Sequence, residues 1–341
     1  MAEGAGAGRA GPAAKAGLAA LVPGLGILAL GILALAGCAA GAKAGDPALP
    51  AGFADLGMPD VDANALVYVN AGEPTRVPLG VFDATGLVAG AGVLSIETIV
   101  NDPDREYAAR AEFVDEATAQ RVAEAARSAA RGDATRWVQT DGPFVTVGRS
   151  DTAWGEGVRE AWAAGSRVTI EERYPGVWEA ILRLPEDAPG RPVVVGFARN
   201  AADLLDATLA ATDVSLPGLA SALSLIRADV IAFGAYAADP SDLPEQLTRD
   251  ALRGSGVGVI GVAQAGYPGF IVSFLFDQFA ERANLEETEF GGTTALYRIV
   301  EGDLHLMVKA YGASIYLAAA PTRAEAEQLV LAVVRSQEAR T

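Results

Sequence analysis

The sequence predicts an α+β fold in which mostly antiparallel sheets carry packed helices. Three observations indicate this fold class. Short stretches alternate between apolar and polar residues, as half-buried strands do. Turn residues such as Asp141-Gly142 separate pairs of these stretches, which is typical of β-hairpins. Other stretches place apolar residues three and four positions apart and so predict amphipathic helices.

The first half of the fold, residues 59–185, is predicted to open with three strands. An apolar run at 65–69 and an alternating run at 94–100 give the first two. Residues 107–114 alternate again after the turn-forming residues 101–104. We therefore expect the third strand to pair antiparallel with the second.

A helix is predicted next, between Asp115 and Gly132. The Asp115 carboxylate can cap the first turn, and glycine commonly ends a helix. The predicted apolar stripe of this helix consists of Ala119, Val122, Ala123, Ala126 and Ala130.

The rest of the first half is predicted to contain a hairpin, a helix and a second hairpin. The first hairpin spans residues 136–147, and the helix spans residues 152–164. The second hairpin pairs a strand at 168–172 with a strand at 177–184 around a proline-containing turn.

Three prolines within residues 185–192 mark the predicted boundary, because proline interrupts helices and central strands. The second half, residues 193–338, contains the same kinds of element. Its predicted strands lie at 193–197, 229–236, 257–263, 270–276, 295–300, 304–310 and 314–319. Its predicted helices lie at 200–212, 219–226 and 241–253, after Asp277, and after Thr322, which forms a capping-box pattern with Glu325.

An order of elements in the first half recurs in the second. The segment 113–115 precedes a helix, a hairpin around Gly142 and another helix. The segment 275–277 precedes a predicted helix, a hairpin around Gly302 and the last helix. Two explanations remain open: a duplication that gives two similar halves, and coincidence between ordinary strand–helix–hairpin units.

Residues 1–37 have the organisation of a secretory signal peptide. Arg9 and Lys15 precede an apolar run at 17–36, and small residues close the run. It ends in Leu35-Ala36-Gly37-Cys38, which resembles the lipobox of bacterial lipoproteins. The resemblance implies cleavage after residue 37 and a diacylglycerol on the thiol of Cys38, the only cysteine of the chain. It places the protein on the outer face of a membrane of the cell envelope.

The same apolar run leaves an alternative open. About 20 apolar residues can cross a bilayer as a helix, so the segment could be an uncleaved membrane anchor. Both readings put the rest of the chain outside the cytoplasm. Residues 38–58 are rich in alanine, glycine and proline, which predicts a flexible tether after the lipidated cysteine.

Charge excludes nucleic acid as a partner. Without residues 1–37, which hold Glu3, Arg9 and Lys15, the 26 basic and 43 acidic side chains become 24 and 42, a formal charge of −18. Nucleic-acid binding needs a basic surface. The same charge disfavours electrostatic attraction to anionic lipid.

The side chains that usually carry catalysis are scarce. The chain has one histidine, His305, which alternates with leucines in a predicted strand. Zinc sites usually draw on several histidines or cysteines, and the mature chain offers only His305 and a lipidated Cys38. We therefore expect neither a metal nor a cofactor. The sequence favours a non-catalytic protein but leaves enzymatic activity undecided.

Two motif matches lack the context that their functions require. Residues 256–261 match G-x-G-x-x-G, but the segment follows a predicted helix and itself has the pattern of a strand. Its glycines instead predict close packing against the sheet. Residues 60–64 resemble the start of a calcium loop, yet Ala65 and Ala71 stand where glycine and a bidentate acid are needed. A weak, irregular calcium site is the remaining alternative.

The tryptophans are the candidate ligand or partner surface. All four fall within a short part of the first half and are Trp137, Trp154, Trp162 and Trp178. Clustered aromatic rings more often fill a core, and less often form a binding surface.

The sequence thus favours a lipid-anchored, extracytoplasmic, non-catalytic module that binds a protein partner or a ligand at the cell envelope. A solute-binding lipoprotein of a transporter is the first alternative, because the length allows two lobes with a ligand between them. A hydrolase that uses two carboxylates is the second. The predicted partners are the membrane, through the lipid, and an envelope protein or a small molecule.

Overall fold

The structure is a computed structural model that describes residues 57–75, 92–102, 106–185, 188, 191–200, 227–237, 257–283, 285–300 and 304–339. The signal segment, Cys38 and the helices predicted between residues 201 and 253 lie outside these ranges. The described strands, in chain order, are β1 (Met58–Pro59), β2 (Ala65–Thr75), β3 (Val93–Asp102), β4 (Glu106–Phe113), β5 (Arg136–Asp141), β6 (Phe144–Arg149), β7 (Arg167–Val168), β8 (Arg191–Arg199), β9 (Val230–Ala237), β10 (Val257–Gln264), β11 (Glu286–Phe290), β12 (Thr293–Val300), β13 (Leu304–Tyr311) and β14 (Ser314–Ala320). The described helices are α1 (Glu116–Ala129), α2 (Ala153–Ala164), α3 (Ile170–Arg173), α4 (Pro175–Ile181), α5 (Gly269–Ala283) and α6 (Arg323–Glu338).

Twelve of these strands form one sheet in which all neighbours are antiparallel. Their order is β11-β12-β13-β14-β10-β9-β8-β2-β3-β4-β6-β5. The short strands β1 and β7 form a separate pair. The predicted α+β class with mostly antiparallel pairing is therefore confirmed.

Helices cover both faces of the large sheet. Because side chains alternate along a strand, Val67 and Leu66 of β2 point to opposite faces. Val67 shares a hydrophobic cluster with Val122 of α1, whereas Leu66 shares one with Val158 of α2 and with residues of α4 and α6. Helix α5 packs Phe276 on the α1 side, against residues of β13.

The caps predicted from the sequence are present. Asp115 Oδ1 accepts the Thr118 N–H at 2.7 Å at the start of α1. Thr322 and Glu325 form the reciprocal capping box of α6. Gly142 has a φ of 55°, as a two-residue hairpin turn allows for glycine.

The hairpin predicted at 168–184 is wrong, because this segment forms α3 and α4. Thr169 and Glu172 build a capping box that starts α3, and Pro175 occupies the first turn of α4. Val177, Ala180 and Ile181 are buried at helical spacing.

The strand predicted at 270–276 is also wrong, because this apolar run lies within α5, as does Asp277. An apolar run of this length fits a buried strand or a helix, and tertiary packing decides between them. Here Val272 and Phe276, four residues apart, are the buried positions. The correspondence of 275–277 with the strand end 113–115 therefore fails. The sequence also missed the outer strand β11.

The strand order nevertheless has an internal regularity. From the central β2/β8 pair, β2-β3-β4 runs outward on one side and β8-β9-β10 on the other. β4 leads into α1 and β10 leads into α5. In the large sheet, β6 pairs beside β4 and is followed by α2. In the same way, β14 pairs beside β10 and is followed by α6.

No helix among the described residues combines the length and the apolar character needed to cross a membrane.

Candidate functional site

A band of polar side chains lies beneath α2 on the sheet. Tyr68 of β2, Glu97 of β3 and Arg110 of β4 are successive cross-strand neighbours, so they share one face. Ser95 and Glu112 form the adjacent cross-strand pair. Polar groups on a covered face must be hydrogen-bonded, either to one another or to a ligand. This band is therefore the main candidate site within the described fold.

Glu97 is the centre of the band. It is only 6% exposed, and both its oxygens accept hydrogen bonds. The Arg167 guanidinium donates to Oε1 at 2.8 Å and to Oε2 at 3.1 Å. The Trp162 indole N–H donates to Oε2 at 3.2 Å, and Arg167 also donates to the Gly57 carbonyl at 2.7 Å. This carboxylate therefore ties α2 and the β1/β7 pair to the large sheet.

Burial sets the electrostatics of the band. It raises the pKa of the Glu97 carboxyl, and the Arg167 charge and the Arg167 and Trp162 hydrogen bonds oppose that rise. Burial and the nearby carboxylates of Glu97 and Glu112 raise the pKa of Tyr68 to about 12. Tyr68 thus stays a neutral phenol at physiological pH.

Arg110 brings a second cation beside Glu97. Its guanidinium lies 4.2 Å from the centre of the Phe144 ring and 4.0 Å from the Asp141 carboxylate. Burial lowers the pKa of Arg110, and the Glu97 charge opposes this effect. The Ser95 hydroxyl donates to Glu112 Oε2 at 3.0 Å. Carboxylates that are held by cations and donors in this way act as structural links between elements.

The four tryptophans pack against one hydrophobic cluster. Trp162 is buried in it, and Trp137, Trp154 and Trp178 are partly buried against it. The Trp154 indole donates to the Asp62 carbonyl at 2.7 Å. Trp162 is therefore a core residue. A partner surface formed by the exposed parts of Trp137, Trp154 and Trp178 stays a prediction.

Residues 60–64, which resemble the start of a calcium loop, bind an arginine side chain. Arg173 of α3 donates to Asp60 Oδ1 at 2.9 Å and to Asp62 Oδ1 at 3.1 Å. The Tyr174 hydroxyl accepts the Ala63 N–H at 2.9 Å. These contacts fix the loop before β2. The Asp60 and Asp62 carboxylates, which a calcium ion would need as ligands, are paired with the Arg173 guanidinium.

His305 lies on β13 beside Tyr297 of β12. The Tyr297 hydroxyl and His305 Nδ1 are 2.7 Å apart, and the rings stack with centroids 5.9 Å apart. Arg323 of α6 covers the Tyr297 ring at 4.8 Å. The histidine is therefore a packed strand residue with a local partner, as its alternation in the sequence indicated.

Within the described ranges, no three histidine, cysteine, aspartate or glutamate side chains are grouped so that they could hold a metal ion.

Sequence reasoning missed Glu97 and Arg167. Glu97 lies between Ile96 and Thr98 in a predicted strand, where an acidic residue normally indicates a solvent-facing position. It is buried because α2 covers that face of β3. The periodicity of a single sequence does not show which helix covers a given strand.

No protein-family model matches the chain, and no curated protein matches it. Among solved structures, crystal forms I and III of TP0453 are similar, each with 10% sequence identity and a TM-score of 0.36. The matches cover 85% and 86% of this chain and 99% and 100% of TP0453.

Proposed function

We propose that this protein is a lipid-anchored module outside the cytoplasm that binds a protein partner or a ligand at the cell envelope without catalysis. The observation that carries the proposal is the apolar run that ends in Leu35-Ala36-Gly37-Cys38, with the only cysteine of the chain at the lipidation position. Two or three acyl chains, at about 0.8 kcal/mol per buried methylene, hold a protein stably on a membrane.

The non-catalytic part of the proposal is supported by how the described polar side chains are used. Glu97 binds Arg167 and Trp162, and the Asp60 and Asp62 pair binds Arg173. His305 contacts Tyr297. These four side chains are thus engaged in holding elements together.

The central strand pair favours the module over a two-lobed solute-binding protein. Solute-binding proteins of transporters hold their ligand in a cleft between separate lobes. Here β2 pairs with β8 through five residue pairs, from Ala65 with Ala198 to Val69 with Val194. Both halves therefore contribute strands to one continuous sheet.

We also propose that the two halves, 59–185 and 193–338, arose by duplication. The support is the outward order of strands from the β2/β8 pair, together with the equivalent positions of α1 and α5 and of α2 and α6. By strand order, the hairpin equivalent to that at Gly142 is the one at Gly312, and not the one around Gly302 that the sequence suggested; glycine has a φ of 55° at 142 and 59° at 312.

Membrane association of the full chain and of Cys38→Ser tests the anchor. The wild-type chain is expected in the membrane fraction of a bacterial host, and it should partition into detergent on phase separation. Cys38→Ser should carry no lipid, so the mass that the lipid adds to the chain should be absent. Lys43→Ser, within the predicted tether, is the matched control. A Cys38→Ser chain with unchanged mass and partitioning would contradict the proposal.

A further inference from the structure

Helix α5 presents two aromatic rings to solvent. Phe270 is 77% exposed and Phe274 is 64% exposed, and they lie one helical turn apart on the same face. Ser273, between them, is also exposed. The opposite face of α5 buries Val272 and Phe276 against the sheet, so core packing does not account for these two rings. We call Phe270, Ser273 and Phe274 the aromatic face.

Helix α1 provides an internal comparison, because it takes the equivalent place in the other half and packs on the same side of the sheet. Phe270 and Phe274 are the second and sixth residues of α5, and Ala117 and Arg121 are the second and sixth residues of α1. The exposed positions of α1 are Glu116, Ala117, Gln120, Arg121, Glu124, Arg127 and Ser128. A helix in this place thus needs no aromatic surface for folding, and α5 carries one in addition.

The aromatic face is held in place by the surrounding fold. The first turn of α5 lies against the hairpin between β13 and β14, where a Cβ on Gly269 would come within 2.9 Å of the Gly312 backbone. In the loop just before α5, Tyr267 stacks with Arg227, whose guanidinium carbon is 5.2 Å from the ring centre. Tyrosine and arginine side chains are common at membrane interfaces, and Tyr267 precedes Phe270 by three residues.

The predicted tether is long enough for this face to reach the membrane. Residues 39–56 span roughly 60 Å when fully extended. Twelve strands at the usual spacing make a sheet roughly 55 Å wide. The mature chain carries a charge of −18, so anionic lipid does not attract it, and contact with the bilayer must come from apolar side chains.

We propose that α5 docks on the lipid surface to which the protein is anchored, with Phe270 and Phe274 inserted below the headgroups. The inference rests on the proposed lipid anchor. Docking fixes which face of the sheet the protein turns towards the membrane and leaves the opposite face, with α2, α4 and α6, directed away from it. Exposed aromatic side chains insert shallowly at the boundary between headgroups and acyl chains.

A fluorescent label on α5 tests the docking in the full chain. Lipidation blocks the thiol of Cys38, so Ser273→Cys provides one reactive thiol between the two rings without removing either. The labelled protein is placed in phosphatidylcholine vesicles whose acyl chains carry bromine as a quencher. Gln120→Cys is the matched control, since it is the fifth residue of α1 and Ser273 is the fifth of α5.

We expect quenching at residue 273 to exceed that at residue 120 by at least about twofold, because bromine quenches only labels that enter the acyl region. Phe270→Ser with Phe274→Ser should reduce quenching at 273 to the control level while the protein stays on the vesicles. Raising the salt concentration should leave the signal unchanged, since the contact is apolar.

Three results would overturn the inference. Equal quenching at 273 and 120 on vesicle-bound protein would contradict docking but leave the anchor intact. The label at 273 could instead be shielded without lipid, and increasingly so at higher protein concentration. That result would show that a second copy of the chain covers the aromatic face. A wild-type chain that does not float with the vesicles, or that reacts with the thiol label, would remove the anchor and the docking together.

Discussion

Glu97 is an acidic side chain placed where water does not reach it. Taking a carboxylate out of water costs several kcal/mol unless cations and hydrogen-bond donors replace the water. Arg167 and Trp162 supply three donors, and Arg110 lies across the strand pair. Arg167 keeps about a third of its side chain exposed, so only one partner of the pair is desolvated completely.

Arg167→Leu should destabilise the protein by about 2–3 kcal/mol at pH 7, because Glu97 stays buried without its cation. The loss should depend on pH. Without Arg167 the pKa of Glu97 rises further above its ordinary value of 4.5. A raised folded-state pKa lowers stability above the unfolded pKa, so the penalty is small below pH 4.5 and grows as pH rises. Urea unfolding at pH 4 and pH 8 measures this difference.

Arg127→Leu is the control for this prediction. Arg127 is exposed in the last turn of α1, where its guanidinium donates to the Thr140 hydroxyl at 3.4 Å. Its loss should change stability by no more than about 0.5 kcal/mol at either pH. An Arg167→Leu penalty that is equal at pH 4 and pH 8 would mean that the arginine acts through packing and not through the charge of Glu97.

Some residue roles could be predicted from the sequence and others could not. Asp115 and Thr322 were predictable because a cap acts on the backbone within three residues. The partners of Glu97 are 65 and 70 residues away. A contact at that separation depends on the complete fold, and no local pattern contains it.

At the scale of elements, the centre of the sheet depends on a close approach at Gly196. A Cβ added there would lie 2.5 Å from the Leu66 carbonyl oxygen and 2.4 Å from Phe233 Cζ. Because the first of these atoms belongs to the backbone of β2, the pair β2/β8 would have to shift. Gly196 therefore permits the two halves to join.

Gly196→Ala should destabilise the protein by about 2–4 kcal/mol, since the overpacked methyl group meets a backbone atom. Gly261→Ala, in β10, is the matched control, because the nearest atoms are 4.0 Å from its added Cβ. The control should change stability by less than about 0.5 kcal/mol. Thermal unfolding of both variants separates the effects, and equal stabilities would contradict the central packing.

The capping box of α6 offers a second test at this scale. The Thr322 hydroxyl accepts the Glu325 N–H at 3.2 Å, and the Glu325 carboxylate accepts the Thr322 N–H at 3.0 Å. Thr322→Ala should cost about 1 kcal/mol, and Thr322→Ser should retain most of that stability. Chemical unfolding compares the two, and equal losses would show that the threonine methyl group matters more than the hydroxyl.

Local sequence patterns predicted most described strands because their alternation is set by one buried face. They failed at 168–184 and 270–276, where short apolar runs fit the period of a strand as well as that of a helix. At 168–184 the deciding features were the Thr169–Glu172 capping box and Pro175, which are helix-start signals. At 270–276 the deciding feature was packing on β13, which lies far along the chain.

At the scale of the whole molecule, one sheet unites both predicted halves. The prolines at 185–192 predicted a boundary between the halves, yet Pro192 lies within β8, and no sequence feature predicted the pairing of β2 with β8. Strand pairing between distant segments depends on register and burial, neither of which a single sequence displays. The two outer strands carry charged residues, including three glutamates in β11, which discourage pairing with other sheets.

The proposed anchor would confine the acidic folded part of the protein to a membrane by its N-terminus. Confinement raises the effective concentration near any partner on the same membrane. Docking through α5 would further restrict the domain to one orientation. Each of these consequences depends on the chemistry at Cys38.

Mass spectrometry of the N-terminal peptide of the mature chain is therefore the most direct measurement. We predict a peptide that begins at Cys38 and carries a thioether-linked diacylglycerol, with or without an added N-acyl chain. A chain that begins upstream of residue 38 and retains a free Cys38 thiol would contradict the lipid anchor and point to an uncleaved apolar span at 17–36.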